Sequence, residues 1–257
     1  MEMFTSSPYG APEFKDCLFY HSFDFPDGTS IVGEWDMRGQ FADYIGHVPI
    51  EGRTVCDVGS ASGFLSFEAE QVGARVTSFD ADSTARYTPL PHVRGILHSD
   101  PATKRTEQES WLMAVKKSYW YSHKKFSSST RAVYGDVFEL QKIGPFDCII
   151  LGQILVHNKS PIDIVVAAAR ACTHDLIITE GMWDIQDPAL RFLGGADRPE
   201  DYFSWWLASP AWYIEVTRML GFELASQSKV DYGCNHATHA SRQTLHTMVF
   251  KRVLSGD

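Results

Sequence analysis

The stretch Val55-Cys56-Asp57-Val58-Gly59-Ser60-Ala61-Ser62-Gly63-Phe64 decides the fold. A short, mostly apolar run enters a cluster of glycine and serine, and a helical pattern follows at once. An apolar run without alternation, bounded by turn residues, reads as a strand buried on both faces, which is what a parallel sheet contains. Beyond the turn, Phe64, Leu65, Phe67 and Val72 recur at three- and four-residue spacing within 61–72, and Gly73 supplies the stop. Glycine suits a strand-to-helix turn where backbone must approach a ligand that a Cβ would push away. Ligands of such sheets bind outside the carboxyl ends of the strands.

Working outward, apolar runs predict strands near 53–58, 75–79, 131–134, 146–151, 174–180, 222–230 and 245–252. Helical patterns lie between them, among them 161–172 and 211–220, the second starting at Ser209-Pro210 and stopping at Gly221. Strands that alternate with helices imply parallel pairing with helices on both faces. The last two strands have no helix between them and read as an antiparallel hairpin. The fold class is therefore α/β, a doubly wound Rossmann-like sheet of seven strands. Residues 1–50 form an N-terminal cover or lid, and residues 51–257 form the main domain, with an insertion at about 182–213 before strand six. Nothing in the doubly wound core requires residues 19–36.

With 44% hydrophobic residues among 257, the chain can bury a large core, which excludes disorder. No apolar run reaches membrane-spanning length, and residues 1–12 lack a basic stretch followed by an apolar one; a cytoplasmic protein with no membrane association is expected. The five cysteines are scattered with no Cys-x-x-Cys, which fits a reduced compartment. A net charge of −9 disfavours broad contact with nucleic acid, whose affinity comes from Lys and Arg. Residues 104–131 depart from this balance, with seven basic residues against two acidic ones and with Trp111, Tyr119, Trp120, Tyr121 and Phe126 interleaved. Such a segment is either a clamp that stacks RNA or an amphipathic helix showing lysines to solvent.

A dinucleotide fingerprint needs Gly-x-Gly-x-x-Gly, but Ala61 stands at its second glycine, and Asp57 would sit badly beside phosphate. A carboxylate suits a cationic ligand such as a sulfonium carrying an ammonium group. The second strand ends in Asp80-Ala81-Asp82, where a carboxylate can accept hydrogen bonds from ribose hydroxyls, and Gly135-Asp136-Val137 follows the third. Together these residues resemble the class I S-adenosylmethionine-dependent methyltransferases, from roughly Thr54 to Glu180. The resemblance implies S-adenosyl-L-methionine as cofactor. It implies Asp57, Gly59, Ser60 and Gly63 at the methionine end, Asp80 and Ala81 at the ribose, and Asp136 and Val137 at the adenine; Gly152 and Trp35 complete the donor pocket. The plainer alternative is that Asp57 caps the turn and the glycines permit close packing.

The flanks add Tyr20-His21-Ser22-Phe23-Asp24 and Gly33-Glu34-Trp35-Asp36 before the turn, then His157 and Ser204-Trp205-Trp206 after it. This layout looks like the broad family that includes wobble-uridine tRNA modification transferases and many small-molecule methyltransferases. The resemblance implies an N-terminal segment folded over the donor. His157 and His21 are candidate general bases, with a turn residue and a packed aromatic neighbour as the alternatives. Tyr20, Gln153, Trp183, Trp205, Trp206 and Tyr213, with Tyr202 and Trp212 nearby, would wall an acceptor pocket or simply pack the insertion. Cys234-x-His236-x-x-His239 shows only three metal-type ligands, so no metal is expected, and His236 is placed in a loop overhanging the acceptor. The function expected is methyl transfer to O, N or C of a small-molecule acceptor by a chain that could be a homodimer. A tRNA-modifying transferase and a non-catalytic adenosine-binding module remain open.

Overall fold

In a computed structural model, residues 1–87, 101–195, 204–236 and 239–254 are described. Tyr202 and the side chains of His236 and His239 lie outside the described part. The sheet has nine strands: β1 (Glu2–Phe4), β2 (Trp35–Asp36), β3 (Thr54–Val58), β4 (Arg75–Ala81), β5 (Arg131–Gly135), β6 (Phe146–Gly152), β7 (Cys172–Glu180), β8 (Phe222–His236) and β9 (His239–Arg252). Their order across the sheet is β1-β5-β4-β3-β6-β7-β9-β8-β2. The five central strands β5, β4, β3, β6 and β7 are parallel, and β9, β8 and both edge strands are antiparallel. The expected seven strands and the closing hairpin are present, and the hairpin is longer than expected because its register continues to His236↔His239.

The two additional strands correct the expectation for the N-terminal segment. Glu2–Phe4 pairs with β5 on one edge, and Trp35–Asp36 pairs with Gly233 and Cys234 of β8 on the other. Within residues 23–44, Phe23, Phe25, Trp35, Met37, Phe41 and Tyr44 are buried in the same core cluster as Val55, Ile150 and Ile177 of the parallel strands. The segment is thus an integral layer of the fold, because its aromatic side chains have no other place to leave water.

Helices α1 (Phe41–Tyr44), α2 (Phe64–Gln71) and α3 (Pro101–Lys125) contribute to that core. A second cluster on the opposite face takes in α4 (Pro161–Ala171) and α5 (Pro210–Met219), with Ile164, Val165, Tyr213 and Val216 against Cys56, Ile149 and Ile178. Helix α5 starts as its sequence dictates: the Ser209 hydroxyl accepts the Trp212 N–H at 3.2 Å and Pro210 takes the first position. Helix α3, 25 residues long, takes in most of the basic segment 104–131, for which a helix was one of the two expectations.

Candidate donor cleft

The turn from β3 to α2 is left-handed at three positions, Gly59 (φ 84°), Ala61 (φ 47°) and Gly63 (φ 93°). It is lashed to the end of β4: the N–H groups of Gly59 and Ser60 donate to the Phe79 carbonyl at 2.8 and 3.1 Å. A Cβ on Gly63 would lie 2.4 Å from Phe67 and 2.8 Å from Tyr119, so this glycine serves helix packing. A Cβ on Gly59 would meet only the Ile154 side chain, at 2.2 Å, and both Gly59 and Ile154 line a cleft. Asp80, Ala81, Val137 and His157 line the same cleft, whereas Asp57, Ser60, Gly63, Asp136 and Gly152 are not among its lining residues.

Asp57 is 1% exposed. One carboxylate oxygen accepts the Ser66 hydroxyl at 2.6 Å, and the Ser66 N–H also helps hold the charge, so the capping reading is right in part. The other oxygen, Oδ1, is buried with no partner. Burial pushes the carboxyl up to about 7. Asp80 accepts the Ala61 N–H at 2.9 Å through Oδ2 and its neighbour Ala81 N–H at 2.7 Å through Oδ1. Each oxygen keeps a further lone pair for a diol. Its carboxyl is raised by burial, against which Lys116 and the two N–H groups act.

Asp136 is engaged at both oxygens: one accepts the Phe138 N–H at 3.0 Å, the other Arg86 Nη1 at 3.0 Å. Arg86 also holds Asp82 through Nε and Nη2 at 2.8 and 3.0 Å. Of the Gly135-Asp136-Val137 stretch, Gly135 and Val137 line the cleft. Gly152 ends β6 against the Tyr44 hydroxyl, and Gln153 beside it is left-handed at φ 51°. A non-glycine residue there stores strain of the kind found at ligand sites.

The two histidines differ. His157 closes the short turn Leu155–His157 on the lip of the cleft, next to Asn158. His21 is 7% exposed, its N–H donates to Ser62 Oγ at 2.9 Å, and its Nδ1 lies 3.0 Å from that same oxygen. Burial lowers its ring to about 3, so it is neutral and a very weak base. His21 does not line the cleft, and its bonds to Ser62 pin the N-terminal segment to the glycine turn. Trp35 is 8% exposed, donates from Nε1 to the Tyr20 hydroxyl at 3.2 Å, and does not line the cleft.

In the insertion, Leu190–Phe192 pairs with Trp206–Ala208, and Trp205 N–H donates to the Val156 carbonyl at 2.7 Å, tying the hairpin to the cleft's lip. Trp205 and Tyr213 are both buried, which is the packing role, whereas Trp183 and Trp206 are half-exposed. Sequence reasoning missed Arg86, Asn158 and Ile154 in the cleft, and Glu180, whose Oε1 accepts the Leu155 N–H at 2.9 Å. Burial pushes Glu180 up to about 8. An acid at the end of an apolar strand, Ile177-Ile178-Thr179-Glu180, was the signal that could have found it. Among the described residues no group of histidine, cysteine or acid side chains could hold a metal ion.

No protein-family model matches the sequence, and no curated protein matches it. Solved structures do match in fold. A Pyrococcus horikoshii protein described provisionally as an RNA methyltransferase is 14% identical with a TM-score of 0.52, over 83% of this chain and 84% of that one. A Burkholderia thailandensis 1,6-didemethyltoxoflavin N1-methyltransferase, solved with S-adenosylhomocysteine, is 14% identical with a TM-score of 0.50, over 84% and 77%. A magnesium protoporphyrin IX methyltransferase from Synechocystis PCC 6803, also with S-adenosylhomocysteine, is 16% identical with a TM-score of 0.50, over 82% and 80%. The chain has the fold of the class I S-adenosylmethionine-dependent methyltransferases.

Proposed function

We propose that the protein is an S-adenosylmethionine-dependent methyltransferase acting on a small-molecule acceptor. One observation carries the donor reading: Asp57 Oδ1 is buried and bare at the root of a left-handed turn, beside Asp80 at the next strand end. An unpaired buried carboxylate oxygen is costly, and a cationic group brought to that turn relieves the cost. Asp57 and the Gly59–Gly63 turn would hold the methionine end, Asp80 the ribose, and Val137 with Ile154 the adenine.

When bound, the donor supplies an electrophilic methyl group on its sulfonium. The chain's own residues orient and exclude water. The Ile154–Asn158 turn, held by Glu180 and by Trp205, closes one wall. The N-terminal segment, pinned by His21 to Ser62, would close another. Holding donor and acceptor in line supplies much of the acceleration in a transfer of this kind. Gln153 and the half-buried Tyr20 would meet the acceptor, and His157 is placed to take a proton from the acceptor's O or N.

A small-molecule acceptor is supported by the −9 net charge and by the fate of the basic segment. Lys116 is buried and Lys125 is paired with Asp27, which weakens the case for an RNA clamp. Incubation with a methyl-labelled donor and a pool of small molecules tests the reading: a methylated small molecule supports it, and label found only in tRNA refutes the acceptor class.

A further inference from the structure

Helix α3 carries one lysine that does not belong to its solvent face. Lys116 is 2% exposed, its Nζ donates to the Asp82 carbonyl at 3.0 Å, and it lies 4.5 Å from the centroid of the Tyr134 ring. Tyr134 stands directly opposite Asp80 in the pairing of β4 with β5, so the ammonium sits beside the strand end that carries Asp80. A buried ammonium persists only where partners replace its water. Here the partners are a carbonyl, a ring face and the carboxylates of Asp80, Asp82 and Glu109, which oppose the loss of charge that burial promotes.

We propose that Lys116 is a positioning residue for donor binding: its charge keeps Asp80 in the carboxylate form that accepts both ribose hydroxyls, and its bond to the Asp82 carbonyl fixes the strand-end loop to α3. The proposal rests on the reading that Asp80 binds the donor ribose. Of the groups around Asp80, Tyr9 of the N-terminal segment, Asp57 of β3 and Tyr134 of β5 are neutral or acidic, Arg86 on the cleft wall is engaged by Asp82 and Asp136, and Lys116 of α3 is the cation that acts on Asp80. Removing that cation leaves burial and Asp57 to push the Asp80 proton on. A protonated carboxyl donates one hydrogen bond and can no longer accept from both hydroxyls. The loss therefore grows as pH falls, which simple damage to packing would not produce.

The test is calorimetric titration of the full-length protein with S-adenosylhomocysteine from pH 6 to pH 8.5, on wild type, Lys116→Met, Lys116→Gln, Lys116→Arg and Asp80→Asn. The expected result for Lys116→Met is affinity severalfold below wild type at pH 6, with the deficit narrowing as pH rises to 8.5. Lys116→Gln keeps a donor for the Asp82 carbonyl without the charge and should show the same pH-dependent ratio, even if the methionine variant does not fold. Lys116→Arg should stay within about threefold of wild type throughout, and a carbon-13 titration should show the Asp80 carboxyl moving up in the glutamine variant. A ratio to wild type that is constant across pH, or an unmoved Asp80 titration, overturns the proposal. Wild type that binds but is indifferent to Asp80→Asn removes Asp80 from the ribose site. Wild type that does not bind at all refutes the donor reading itself, and the proposal with it.

Discussion

Asp57 sits in an apolar strand with one oxygen satisfied and the other bare, and burial pushes its carboxyl up to about 7. An unfolded aspartate titrates near 3.9, so the native protein holds an extra proton between about pH 4 and pH 7. Its contribution to stability is therefore best at the acid end of that window and falls as pH rises through 7. Asp57→Asn should reduce that slope in denaturation measured from pH 5 to pH 8. The ammonium group that the donor and S-adenosylhomocysteine share favours the ionised form, so wild-type affinity for S-adenosylhomocysteine should climb from pH 6 to pH 8 by up to about tenfold, and the asparagine variant should bind weakly with little slope. A slope unchanged in the variant would clear Asp57 of any part in it. The two glycines separate as well. Gly63→Ala should cost about 1–3 kcal/mol of stability, because a left-handed backbone and the Phe67 and Tyr119 rings both resist a Cβ. Gly59→Ala should displace Ile154 into the cleft and show its larger effect in donor affinity. That Gly59 and Asp80 come together at adjacent strand ends was legible in the sequence, because each belongs to a short motif where an apolar run stops. The link from Arg86 to Asp136 and that from Lys116 to Asp82 could not be read, since the partners stand 50 and 34 residues apart.

The parallel strands and the helices α2, α4 and α5 were legible because each has an apolar pattern and a turn or cap that bounds it. The edge strands β1 and β2 were not: they span three and two residues, too few for any period to show. Helix α3 was legible only as one of two readings of its segment, because its buried residues, Leu112, Val115, Tyr119 and Trp120, are mixed with buried Lys116, Ser118, Ser122 and His123, so apolarity does not mark one face. The N-terminal segment carries a direct consequence. Deleting residues 1–36 should remove both edge strands and several core aromatics and leave a chain without a cooperative melting transition. A truncated protein that melts cooperatively near the wild-type temperature would show that the segment is a detachable lid. A gentler probe is Ser62→Ala, which takes the hydroxyl from the buried His21 N–H and should cost about 1–3 kcal/mol in chemical denaturation. No loss there would mean that His21 does not anchor the segment.

At the scale of the molecule, charge separates the two acceptor classes. The chain carries a net −9, and on α3 Lys124 is exposed and Lys117 half-exposed while Lys116 is buried. Binding to tRNA at physiological salt should therefore be weak and little changed by charge reversal at Lys117 and Lys124. Submicromolar binding with a steep salt slope, lost in that variant, would favour nucleic acid as the acceptor. The central claim, that the cleft between Gly59, Asp80 and Val137 takes a sulfonium nucleoside donor, is tested most directly by calorimetric titration with S-adenosylhomocysteine and, separately, NAD. The prediction is micromolar binding of S-adenosylhomocysteine, weakened by Asp80→Ala by about 1–3 kcal/mol, with no heat from NAD. No binding of S-adenosylhomocysteine, or tighter binding of NAD, would contradict it.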